Sequence, residues 1–443
     1  MKLIRRVLAN IVALIFLANA TSAQINAPNI ENMLSSDAAI KFNHPSLIKK
    51  FYQLCHQQLF WFAPGNPSRP LRLALKNIID SSANVGLDKN KYHFYELSKG
   101  THDFLQPVDS LTLSKADIVF TDAAIAYCKD AYQGAGISSL ISSDEISPKQ
   151  AEDDDSYILN KLCQVKSDTA FLQLIDSLEP RNIEYQLLKE ALSEQLQKQS
   201  IDTMKQLAVS LNIFRWVHHF HLSEYIVVNI ASATLRYYQG DSIKLKMKVV
   251  VGKTSTRTPR FAAYCNEVIL YPYWNVTYKI AVNEFLPIAK KSPATLDMMN
   301  MQVIDNKENI IDAGKINWSL FTKTNFPYRF RQSTGCDNAL GVIKFNLTSP
   351  YDVYMHDTNL KSAFSSGYRY YSHGCIRLEK PIELGNYLMN NKLDSAFLQS
   401  CLKNQVPVPI NIDKRVPVFV VYIPVEADST NKVSYYKDVY HLF

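Results

Sequence analysis

Tyr354-Met355-His356-Asp357-Thr358 and, sixteen positions after His356, Ser372-His373-Gly374-Cys375-Ile376-Arg377 are the stretches on which the reading of this chain turns. They place a thiol, two imidazoles, a glycine and a guanidinium within 22 residues. Those are the parts needed for acyl transfer through a thioester. A cysteine is a strong nucleophile as its thiolate, but it needs a base or a cationic neighbour to ionise near neutral pH. His356 suits that role once a hairpin or loop brings it back beside Cys375. Gly374 lets the backbone turn tightly, so that amide N–H groups beside the thiol can face a developing oxyanion. Arg377 offers a forked grip on a substrate carboxylate.

Outward from this pair, the surrounding sequence reads as strands. Tyr225–Asn229, Thr234–Tyr238, Leu245–Val251, Val268–Tyr273, Tyr351–Met355 and Val418–Ile423 are short β-branched or aromatic runs bounded by turn residues. Both motif halves fall at strand ends. Pro381 opens an apolar-periodic segment with Leu384, Leu388 and Met389, so the nucleophile is expected between a strand and a helix. Residues 279–328 interrupt the strands with mixed, partly helical sequence. Upstream the period is helical: Ser46–Gln58, Arg72–Asn84, Ala116–Tyr132 and Asn182–Gln199, the last with Leu188, Leu192 and Leu196 at four-residue spacing. Ile141–Ser156 reads as a polar, acidic, solvated loop.

The His356…Ser372-His373-Gly374-Cys375-Ile376-Arg377 pattern resembles the signature of the L,D-transpeptidase catalytic domain family (YkuD type). That signature is a His, then Ser/Thr-His-Gly-Cys, one apolar residue, and Asn or Arg. Val251-Gly252-Lys253, Thr258-Pro259, Pro272-Tyr273-Trp274-Asn275-Val276, Asn325-Phe326-Pro327-Tyr328, Arg331-Gln332, Asn338-Ala339-Leu340-Gly341 and Lys344-Phe345 extend the likeness to its long periplasmic (YcbB-like) branch. The resemblance covers 213–443, and 45–200 more loosely.

It implies an α+β multidomain fold. A signal peptide at 1–23 and a helical scaffold at 24–212 would precede a β-rich, mixed-sheet β-sandwich catalytic domain at 213–425. A capping subdomain at 279–328 and a tail at 426–443 packing on the catalytic domain complete that plan. The small peptidoglycan-binding module of many long-branch members has no room here, and three family prolines are replaced by Thr277, Thr334 and Asn359.

The same resemblance implies Cys375 as nucleophile and His356 as general acid/base, with His373 and Gly374 shaping the oxyanion pocket. Arg377, Ser372, Tyr354, Trp274 and Arg331 would contact substrate. It gives the His356-orienting role to a backbone carbonyl rather than to the Asp357 side chain. The implied partners are peptidoglycan stem peptides, as donor and acceptor, with no cofactor and with acylation by carbapenems at Cys375. A hydrolytic or protein-linking enzyme using the same cysteine is the nearer alternative. A non-catalytic wall-binding scaffold is the more distant one.

Composition bounds these readings. At 443 residues two or three domains are expected, and 47% hydrophobic with 20% charged residues is ordinary for a globular protein. Lys2, Arg5 and Arg6, the apolar run Val7–Ala18 and Ala20-Thr21-Ser22-Ala23 read as a cleavable export signal. This predicts a periplasmic or cell-envelope protein with no stable membrane insertion. Removing three cations takes the net charge from +7 to 7 − 3 = +4, with no basic stripe to suggest nucleic acid. Seven cysteines are an odd number, which leaves one thiol for catalysis; the other six are expected to be mostly unpaired and buried, with Cys336 a redox neighbour of Cys375. His218, His219 and His221 are read as a solvated strand entrance rather than a metal site.

Overall fold

The computed structural model describes residue 34 and residues 41–63, 68–100, 109–142, 146, 148–402, 405–428 and 430–443; the expected signal segment at 1–23 lies outside them. The chain divides into two compact units. One holds the described residues up to Ile137 with Lys149–Phe220 and Ala427–Val433, the other Ser138–Pro148, His221–Glu426 and Ser434–Phe443.

The first unit is helical: α1 (Pro45–Leu54), α2 (Ser68–Asp80), α3 (Phe94–Gly100), α4 (Ser110–Gln133), α5 (Pro148–Cys163), α6 (Asp168–Leu178), α7 (Ile183–Lys198) and α8 (Ile201–His218). Local chemistry sets several of the starts. Asp109 caps α4 by accepting from the Leu111 and Thr112 amides, and Ser167 caps α6 through the Ala170 amide. Helix α1 buries Leu47, Ile48, Phe51 and Tyr52 along one stripe. Helix α4 is buried on nearly every side, and its Asp117 accepts from the Phe60, Trp61 and Phe62 amides and the Tyr52 hydroxyl.

Three expectations are corrected in this unit. The acidic stretch at 152–156 is not a loop but part of α5, because α4 supplies partners across the packing: Lys129 pairs with Asp155, and Gln133 donates to Asp154 at 3.0 Å. His218 and His219 end a helix instead of opening a strand. His219 is buried, 3.6 Å from Asp154, a carboxylate far away in sequence. Among the described residues no cluster of His, Cys, Asp and Glu could hold a metal. Helix α8 also runs past residue 212, since Asn212 and Arg215 hydrogen-bond Gly86 O and Val85 O within the helical unit.

The second unit is built on a nine-stranded mixed sheet, ordered β11-β3-β12-β10-β9-β4-β13-β1-β2. The strands are β1 (Glu224–Asn229), β2 (Thr234–Gln239), β3 (Ser242–Gly252), β4 (Phe261–Leu270), β9 (Ile343–Leu347), β10 (Met355–His356), β11 (Tyr370–Ser372), β12 (Ile376–Leu378) and β13 (Val408–Val421). Strand β3 also pairs with β2, so the sheet closes on itself and its two halves enclose one core. Alternation drives this: Met247, Val249 and Val251 of β3 point inward while Lys246 and Lys248 stay outside.

Between β4 and β9 lies a separate four-stranded sheet of β5 (Trp274–Asn275), β6 (Met301–Ile304), β7 (Ile310–Ile311) and β8 (Arg329–Gln332). Val276, Phe285, Leu296, Trp318 and Phe330 form its own core. The pairing of β5 with β8 closes this insertion at its base, so it spans 274–332 rather than 279–328.

The cysteines depart from expectation. Cys55 is bonded to Cys163 and Cys336 to Cys401, leaving Cys128, Cys265 and Cys375 free. Cys336 is therefore no redox partner of Cys375. Pairs 108 and 65 residues apart in sequence meet only through the tertiary fold.

Candidate active site

The site follows from strand register. Strands β10 and β12 run parallel with Met355 opposite Ile376 and His356 opposite Arg377. Met355 and Ile376 are fully buried in the core, so by the two-residue period Tyr354, His356, Cys375 and Arg377 share the other face. On the far side of β10, antiparallel β9 places Lys344 opposite His356. These five side chains line one cavity of about 550 Å³ with Trp274, Thr277, Ile280 and Glu284 from the inserted segment.

The loop bearing the nucleophile is held from several directions. Gly374 has φ +121°, a backbone conformation that L side chains rarely adopt. The Ser372 hydroxyl donates to Cys375 O at 2.6 Å and accepts from the Gly374 N–H at 3.1 Å. Thr258 donates to Gly374 O at 2.8 Å, and Thr256 to Ser372 O at 3.1 Å. Ser372 thus braces the turn instead of offering its hydroxyl to a ligand. The Gly374 N–H is likewise engaged, while the Cys375 N–H has no acceptor among the described residues. The Cys375 thiol itself donates to Asp352 O at 3.8 Å.

The imidazole of His356 is 4% exposed and donates from Nδ1 to the main-chain O of Asp357, which leaves Nε2 as the acceptor. The Asp357 carboxylate is turned elsewhere, accepting from the Val342 amide at 3.1 Å and pairing with Lys361. Burial, then the Arg377 and Lys344 charges, lower the His356 pKa to about 3. The imidazole is therefore neutral, with Nε2 unprotonated. Burial raises the Cys375 thiol, while Tyr354, Lys344 and Arg377 each act to lower it. A protonated thiol beside a neutral imidazole calls for general-base activation rather than a standing ion pair.

The cavity brings together Cys375, His356, His373, Ser372, Arg377, Tyr354 and Trp274. Arg331 is not among the lining residues: its Nε donates to Gln302 at 2.8 Å and its guanidinium stacks 4.5 Å from the Tyr273 ring. Glu284, Asp352 and Lys344 are lining residues that the motif alone does not single out. Glu284, in the π-helical turn Ala281–Phe285, meets His373 Nε2 at 2.7 Å. Only the alternation of β9 around Ile343 and Phe345 marks Lys344 as facing away from the core.

Residues 223–410 match the L,D-transpeptidase catalytic domain family, and residues 46–192 match a scaffold domain. A candidate L,D-transpeptidase of Haemophilus influenzae is 32% identical over 300 residues, covering 67% of this chain. The chain spans 59% of that relative's length. Among solved structures, an L,D-transpeptidase from Mycobacterium smegmatis shares 16% identity over 45% of this chain and 58% of its own, with a TM-score of 0.23. The catalytic domain of an Enterococcus faecium L,D-transpeptidase shares 15% identity over 45% of this chain and 98% of its own, with a TM-score of 0.19.

Proposed function

We propose, from the premise that the chain belongs to the L,D-transpeptidase family through residues 223–410, that it forms 3→3 cross-links between peptidoglycan stems through a thioester on Cys375. The observation that carries this reading is the β10–β12 register, which puts thiol, imidazole and guanidinium on one face of one cavity.

His356 Nε2 takes the thiol proton as Cys375 Sγ attacks the carbonyl of the third, diamino residue of a donor stem. The Cys375 N–H is the available main-chain donor for the resulting oxyanion; loss of one such donor costs about 3–4 kcal/mol in comparable sites. Collapse breaks the C–N bond, and the imidazolium returns its proton to the departing D-alanine nitrogen. The side-chain amine of a second stem then attacks the thioester, losing its proton to His356 and freeing the thiol. The cycle is closed in atoms and protons without a cofactor. The inserted segment that walls the cavity supports amine over water as acceptor, because a waiting thioester must be shielded from hydrolysis.

The test is the purified protein with disaccharide tetrapeptide, read by mass spectrometry. Dimers joined 3→3 are the expected product; tripeptide monomers alone would make the protein a hydrolase using the same thioester. Cys375→Ala is expected to abolish both the acyl-enzyme and the adduct with a carbapenem. Persistent turnover in that variant would overturn the mechanism.

A further inference from the structure

Lys344 faces the cavity from β9. It is half-buried, opposite His356 in the β9–β10 pairing, with Nζ 4.2 Å from the centroid of the Tyr354 ring. No carboxylate lies within ion-pair distance of it among the described residues. Glu267 attracts it from β4, but that carboxylate takes its hydrogen bond from Asn346. Arg377, on the other flank of His356, likewise has no carboxylate partner among the described residues. Half-buried cations are ordinarily paired, since desolvation disfavours a lone charge. Two of them facing one cavity leave places for two anionic groups of a ligand.

Strand order assigns those places. Across the sheet the sequence is β12, β10, β9, with neighbours about 4.8 Å apart. Cys375, immediately before β12, marks where the attacked carbonyl sits, and His356 on β10 marks the departing nitrogen it must protonate. The next strand in the same direction carries Lys344, whose ammonium leans over Tyr354 and so toward the row of Cys375. An α-amino acid leaving group holds its carboxylate one carbon beyond its nitrogen, in that direction. Resting on the transpeptidase reading above, we infer that Lys344 is a substrate-binding residue that holds the free α-carboxylate of the leaving amino acid. Arg377 is left for the acyl side of the donor. The enzyme accordingly reads the donor's C-terminal end and cleaves only the last peptide bond of a stem.

The experiment is single-turnover acylation of Cys375, followed by intact mass, with two donors that differ only in the leaving residue: D-alanine as the free acid or as its amide. The wild-type protein is expected to prefer the acid by at least tenfold. Lys344→Met should bring the two rates together, mostly by slowing the acid, whereas Lys344→Arg should keep the preference. Complete alkylation of Cys375 by iodoacetamide and an unchanged Tm report that the variant site is intact; the acid-to-amide ratio is taken within each variant, so the change in thiol ionisation that loss of the Lys344 charge brings cancels from it. Equal rates for acid and amide in the wild type would overturn the inference without touching the transpeptidase reading. A preference lost in Arg377→Met but kept in Lys344→Met would also overturn it. If the wild type accepts neither donor while iodoacetamide still alkylates Cys375, the functional reading fails and the inference with it.

Discussion

At the scale of single residues, the site depends on a histidine kept neutral by its surroundings. An ordinary imidazole titrates near 6.5, so a base of that kind loses activity as pH falls from 7 to 5. With its pKa lowered to about 3, His356 stays unprotonated throughout that range. Carbapenem acylation of the free enzyme is therefore expected to show no histidine-like decline between pH 7 and 5; a midpoint near 6.5 in that profile would contradict the burial argument. Ser372 gives a second residue-scale expectation. Its hydroxyl closes the 372–375 turn from both sides, so Ser372→Ala should lower kcat at nearly unchanged KM, by roughly the 1–3 kcal/mol of a buried polar partner left unsatisfied. A change confined to KM would instead mean that the hydroxyl touches substrate. The motif names both residues, yet the resemblance puts Ser372 against substrate, because sequence does not say where a hydroxyl points.

At the scale of elements, the cavity is set by turns that bring distant strands together. Gly341, at φ +59°, lies where a Cβ would come 2.2 Å from the Asp357 carboxylate. That carboxylate receives the Val342 amide, and the Asp357 carbonyl orients His356. Gly341→Ala is expected to displace this corner, cutting kcat by tenfold or more and lowering stability by about 1–3 kcal/mol; wild-type kcat in a folded variant would show that the corner does not govern the base. The 333–341 loop is also fastened by Cys336–Cys401 and by Thr334 donating to Gln405 O at 2.9 Å. Replacing both cysteines by serine should cost about 2–4 kcal/mol by releasing a loop of 65 residues, readable as a lower Tm. Much of this level was legible in advance. Strands β1, β2 and β3 fall within a few residues of the β-branched runs, and α7 within one residue of its leucine repeat. Local pattern failed where partners are remote. The run at 351–355 pairs only from Met355 onward, the run at 268–273 is strand only through Leu270, as the tail of a longer β4, and the 152–156 stretch is helical because α4 neutralises it. The disulfides were illegible for the same reason.

At the scale of the whole molecule, the two units bury titratable groups of opposite kind. Asp117, central to the helical unit, is fully buried, and burial raises its pKa to about 6 against hydrogen bonds that favour the anion. His356 in the β-rich unit is shifted the other way. Between about pH 3.8 and 6 the folded form of the helical unit holds a proton on Asp117 that the unfolded chain releases, so acidification favours folding there. Between about 3 and 6.5 the unfolded chain holds a proton on His356 that the folded form refuses, so acidification opposes folding of the β-rich unit. Asp130, also raised by burial, adds to the first effect, and His44, lowered by burial, subtracts from it. The motif offered no sign of this, since Asp117 sits in an apolar helix with nothing to mark it as the acceptor for three amides from 60–62. Calorimetry of the wild type and of Asp117→Asn and His356→Gln, taken from pH 6.5 to 4.5, isolates each contribution as a difference between variants. Asp117→Asn is expected to remove stabilisation on acidification, and His356→Gln to remove destabilisation. If both substitutions change the pH slope in the same direction, at least one of these groups does not titrate in the folded protein as its surroundings require.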